Sequence, residues 1–170
     1  MKTSSIMKMK YFLILLAILI SGCSIFDFDN NDGPGELDLM LSDIPDTLNI
    51  GNTSIILKTY MWRDFQPISP ANGKPLIAIF RIITIDSTNL PEGIKADAAW
   101  IICKEGIWDT YFSDEEPAEY EIQPYQLYEI ARDGPKFGPN IYVDVVVRII
   151  DNMDIEYFLK AENQYIGRTD

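Results

Sequence analysis

"IYVDVVVRIIDNMDIEYFLKA", residues 141–161, decides the fold class. Ile141, Val143, Val145, Val147 and Ile149 alternate with Tyr142, Asp144, Val146 and Arg148, so a strand with a two-residue period carries one unbroken apolar face. Asp151-Asn152-Met153-Asp154 supplies a turn. On the return, Ile155, Tyr157, Leu159 and Ala161 alternate with Glu156, Phe158 and Lys160. The stretch predicts a long antiparallel hairpin whose odd-numbered residues point inward.

Upstream, short runs rich in Ile, Val, Tyr, Phe and Trp are separated by clusters of Pro, Gly, Asn and Asp, the pattern of an all-β chain. Strands are predicted near residues 37–41, 54–62, 76–85, 98–104 and 107–112, with one or two weaker ones between 120 and 132. In "EIQPYQLYEIARDGP" the spacing of Leu127, Ile130 and Ala131 fits a short helix, and the alternation of Tyr128 and Ile130 fits an edge strand equally well. A late hairpin in a chain of about seven strands resembles the last two strands of immunoglobulin-like domains, so the expected fold is all-β, an immunoglobulin-like β-sandwich over residues 37–170. The resemblance is architectural, because no Cys-Trp-Cys framework is present.

A second hairpin is "AAWIICKEGIWDTYF", read with Glu105-Gly106 as its two-residue turn. That register sets Cys103 opposite Trp108 and Trp100 opposite Tyr111. One face, with Ala99, Ile101, Cys103, Trp108, Thr110 and Phe112, is expected to be core. The other carries Trp100, Ile102, Lys104, Ile107, Asp109 and Tyr111. A one-residue slip would exchange the two faces.

At the other end of the chain, ten apolar residues from Tyr11 to Ile20 follow Lys2, Lys8 and Lys10. A membrane span needs about 20, whereas a basic start, a short apolar run and small residues are the order of a signal peptide. Ile20-Ser21-Gly22-Cys23 resembles the lipobox of bacterial lipoproteins. The resemblance implies cleavage after residue 22 and acylation of Cys23, which would tie the protein to a lipid bilayer by two or more chains. It also implies transfer to the outer membrane, since Ser24 stands where inner-membrane retention in enteric-type bacteria usually places Asp. Residues 1–22 are thus read as signal peptide. Residues 23–36, "CSIFDFDNNDGPGE", are read as an acidic tether.

Composition excludes several function classes. The chain holds no histidine, which removes His-dependent triads, bases and zinc-ligand spacings. Its net charge is −12, and without the three lysines of the signal peptide the remaining 11 basic residues face 26 acidic ones, or −15. Such a field disfavours nucleic acid. Asp27, Asp29, Asn31 and Asp38 echo a calcium loop, yet Asp32 occupies the sixth position where the turn needs Gly, and Gly33 comes one residue late. No metal or cofactor is expected.

Candidate sites are therefore few. Trp100 and Tyr111, if paired on an outer face beside Lys104 and Asp109, would form an aromatic platform for a sugar ring or a partner side chain. Asp114, Glu115, Glu116 and Glu119 cluster in one loop, but a carboxylate pair for glycoside hydrolysis needs one acid with a raised pKa. Cys103 has no base to activate it and reads as a small buried hydrophobe. The expectation is a non-catalytic binding or scaffolding module at the cell envelope, contacting a protein or glycan. A carbohydrate-binding module and a small carboxylate hydrolase are the alternatives.

Overall fold

The computed structural model describes residues 41–115, 117–118 and 122–170. The lipobox, the tether with its acidic positions, and all but Leu41 of the strand expected at 37–41 lie outside the described residues, as do Glu116 and Glu119. Eight strands follow in order: β1 (Thr47–Ile50), β2 (Thr53–Asp64), β3 (Leu76–Thr84), β4 (Lys95–Cys103), β5 (Gly106–Tyr111), β6 (Gln126–Gly134), β7 (Ile141–Ile150) and β8 (Glu156–Thr169). The all-β expectation holds. β1 was not foreseen, and the ambiguous region is a strand, because Gln126 to Gly134 finds an antiparallel partner in β3.

The strands form one curled sheet in the order β5-β4-β7-β8-β2-β3-β6, with β1 added on β2. Every neighbouring pair is antiparallel except β2 and β8, which run parallel from Met61 opposite Ile166 to Asp64 opposite Thr169. The core lies inside the curl. Ile55, Leu57 and Met61 of β2, Phe80 and Ile82 of β3, Ile101 of β4, Val145 and Val147 of β7, and Leu159 and Ile166 of β8 all belong to it. Each comes from the alternate positions that a half-buried strand turns inward.

The 141–161 hairpin forms, but Ile155, expected inside, stays in the turn, where its N–H bonds Asp151 and its side chain is 45% exposed; β8 starts at Glu156 and continues past Ala161. Between Val143 and Val145 the register against β8 shifts by one residue. Asn163 takes up the extra residue with φ of 54°, and the Asp144 carboxylate accepts a 2.9 Å hydrogen bond from its N–H. Past this bulge the inward parity of β8 changes from Leu159 and Ala161 to Ile166. The strand extends to Thr169, where it meets β2.

The β4–β5 hairpin corrects the expected register. Cys103 pairs with Gly106, so Lys104 and Glu105 form the turn and Trp100 lies opposite Asp109, with Tyr111 opposite Ala98. A Glu-Gly turn of the primed type needs positive φ at its loop residues. Here the positive φ falls on Gly106, at 143°, as the first residue of β5. The shift is two residues, so the faces survive: Ala99 and Ile101 are core, with Cys103, Trp108 and Phe112 packed on it.

Candidate functional site

The platform expected on Trp100 and Tyr111 does not form. β4 is an interior strand between β5 and β7, and its second face is also covered: Trp100 is 6% exposed, its opposite residue Val146 is fully buried, and its ring centroid lies 6.0 Å from that of Phe158. Lys160 anchors residues 41–45 to the same strand group, its N–H donating to Pro45 O at 2.9 Å and its Nζ to Leu41 O at 2.8 Å. Tyr111 is exposed beyond this row, Lys104 sits in the turn, and Asp109 is exposed opposite Trp100. Asp109 and Tyr111 share Trp100's face, but the buried Trp100 offers no ring to a ligand.

Aromatic residues do converge elsewhere, where β7, β8 and β2 meet. Tyr142 of β7 lies opposite Tyr165 of β8, and their ring centroids are 5.3 Å apart. Two residues on, Gly167 lies opposite Trp62 of β2. Trp62 and Tyr60, on the same face of β2, have ring centroids 5.1 Å apart. Tyr60, Tyr142 and Tyr165 are 60%, 66% and 48% exposed, which marks this as an outer face. The Tyr165 hydroxyl donates to Asn140 Oδ1 at 2.6 Å, so that carboxamide stands at the rim. Half-buried Ile77 and Ile79 of β3, opposite Trp62 and Tyr60, extend the face on its far side.

The loop that carries Asn140 is fixed from below. Arg63, next to Trp62 but turned inward and 3% exposed, donates from Nη1 to Lys136 O at 3.0 Å and to Gly138 O at 2.7 Å. Its Nε reaches Lys74 O at 3.0 Å, and its Nη2 bonds Asn72 O. Backbone carbonyls thus solvate a buried cation, and burial pulls its pKa down, with Glu105 acting in the opposite sense.

Sequence reasoning missed the face for a definite reason. Its aromatics sit in three strands, and Tyr165 and Gly167 lie past the bulge where the alternation breaks. The signal available was Tyr60 and Trp62 at alternate positions.

The titratable groups offer no acid pair among the described residues. Glu115 is held below the usual carboxylate range by its hydrogen bonds from Arg132, one of them 2.8 Å from Nη2, which is the opposite of what a general acid needs. Burial pushes the Cys103 thiol up, so it is a poor nucleophile. Glu129 is pushed up to about 7 by desolvation alone, with no charged group contributing to the shift. No three His, Cys, Asp or Glu side chains among the described residues are grouped to hold a metal ion. The chain matches no known protein-family model, no curated protein and no solved structure.

Proposed function

We propose that this chain is a non-catalytic binding module of a bacterial cell envelope, acylated at Cys23 and held at the outer membrane, with the β7–β8–β2 aromatic face as its contact surface. The observation that carries the binding reading is the set of exposed rings, Tyr60, Tyr142 and Tyr165, on one continuous outer face. Exposed aromatics gathered together mark interaction surfaces, because each leaves a large apolar area in water. The lipobox supports the address. The strand order β5-β4-β7-β8 followed by β2-β3-β6, with its first and last long strands parallel, supports an immunoglobulin-like sandwich as the scaffold.

Two measurements test the reading. In cells fed a labelled fatty acid, Cys23→Ala should lose the acyl label and leave the membrane fraction; unchanged label and retention refute the anchor. A photo-crosslinking residue in place of Tyr142 should capture an envelope component that the same residue in place of Lys104 does not. Equal capture at both positions refutes the contact surface.

A further inference from the structure

Gly167 has no reason inside the fold to be glycine. Of the glycines in the described residues, Gly51, Gly73, Gly93, Gly106 and Gly138 adopt positive φ, and a Cβ on Gly134 would strike the Trp108 ring at 2.5 Å. Gly167 has neither feature: a Cβ there would meet only Met61 O at 3.5 Å, a Tyr165 ring carbon at 3.9 Å and Trp62 Cβ at 4.0 Å, all ordinary contacts. Glycine within a strand weakens it and often marks a bulge, a bend, or a place where a ligand or another backbone comes close. The missing side chain leaves the backbone bare beside the Tyr165 ring and the Trp62 Cβ.

We propose that the aromatic face around this bare position binds a ring of a neutral glycan, an inference that rests on the aromatic face being the contact surface. A sugar ring offers a flat C–H face that stacks on aromatic planes and an edge of hydroxyls that needs hydrogen-bonding partners. Both are supplied. The Trp62 ring lies beside Tyr60 and the Tyr165 ring beside Tyr142 and Gly167, Asn140 accepts from Tyr165 through Oδ1 and keeps its amide N–H groups to donate, and the Tyr60 and Tyr142 hydroxyls make no hydrogen bond among the described residues. None of these residues is charged, and the chain's net charge of −12 opposes anionic glycans. An extended peptide fits less well, because it binds by adding to a free strand edge, and here β8 and β2 are already paired to each other at Gly167 and Trp62.

Detergent-solubilised full-length protein is titrated calorimetrically with cellohexaose, mannohexaose and laminarihexaose, with hexagalacturonate as the anionic control. Saturable binding of at least one neutral hexasaccharide, and none of hexagalacturonate, is expected. Gly167→Val should weaken that binding at least tenfold while melting no lower than the parent, since Val suits a strand better than Gly. Trp62→Ala and Tyr142→Ala should weaken it as well. Absence of binding to all three neutral sugars at millimolar concentration overturns the proposal, as do unchanged affinity or a lowered melting temperature in Gly167→Val. A Tyr142-position crosslink to an envelope protein, lost in Gly167→Val with no sugar bound, removes the glycan and leaves the contact surface standing. Loss of both crosslink specificity and sugar binding removes the two together.

Discussion

Glu129 should make the folded protein less stable as the pH rises from acid to neutral. The β3–β6 register sets Glu129 opposite Phe80, a fully buried residue whose ring lies 5.2 Å from that of Phe112, so the carboxyl points toward the core from the outermost strand. Desolvation pushes its pKa from the ordinary 4.5 to about 7. Below pH 4.5 the group is neutral in both states and costs nothing. Between about 4.5 and 7 the unfolded chain releases the proton while the folded one keeps it, so stability falls with rising pH; above 7 both are ionised and the penalty is constant. A displacement of that size corresponds to about 3.4 kcal/mol at most. Because Glu129 is only half-buried and water screens part of the effect, about 1 to 2 kcal/mol is the expected penalty. Glu129→Gln keeps the shape and removes the charge. In urea titrations it should gain about 1 to 2 kcal/mol over the parent at pH 8.5 and almost nothing at pH 4. A difference that is the same at both pH values, or a loss at pH 8.5, would refute the inward placement.

Trp100→Ala should cost about 3 to 5 kcal/mol in the same titrations, the loss expected on emptying a buried aromatic site, and near-parental stability would contradict its packing between Val146 and Phe158. Arg63→Met should destabilise by about 3 kcal/mol and quicken proteolysis at residues 134–140, because carbonyls of that loop lose a charged donor; an unchanged cleavage rate would show that the loop is held otherwise. Asp151 accepts from the N–H groups of Met153 and Ile155 and from the Tyr157 hydroxyl, which hold its carboxyl below the ordinary range, led by the bond from Ile155. Its contribution is therefore complete above the ordinary carboxylate pKa and disappears as the pH falls through its lowered value. The melting-temperature gap between the parent and Asp151→Asn should narrow in acid. A constant gap counts against the turn.

Strand identity was legible wherever alternation ran unbroken. The odd-numbered residues of 141–149 and both faces of the β4–β5 hairpin could be assigned from the sequence, because burial on one side imposes a two-residue period. Turn detail was not legible: whether Gly106 sits in the turn or closes it depends on where one positive φ falls, and the displacement moved Trp100 away from Tyr111. Trp100 looked half-exposed because Lys104 and Asp109 share its face, yet it lies in an interior strand, and strand order cannot be read from local pattern. The second half of β8 was hidden by the bulge at Asn163. A strictly alternating pattern loses phase there, and with it went Tyr165, Gly167 and the aromatic face. Glu129 reads as a surface acid until its partner across the ladder is known to be Phe80.

The joint between β8 and β2 also sets the order of events in folding. The Thr59 hydroxyl donates to Gln164 Oε1 at 2.7 Å, 105 positions apart in sequence, and the parallel ladder closes loops of similar length. Contacts so distant in sequence are slow to form, in the millisecond-to-second range typical of all-β chains rich in non-local pairing. β2 and β3 have their antiparallel pairing available early, but β2 keeps one edge unsatisfied beyond Met61 until β8, the eighth strand made, arrives. A chain synthesised amino-terminus first therefore carries a half-built sheet whose open edge keeps its own hydrogen-bonding groups until β8 is made. Until β8 docks, that edge is where the nascent protein is most prone to stick to another copy of itself, and where a holding chaperone has the most to protect.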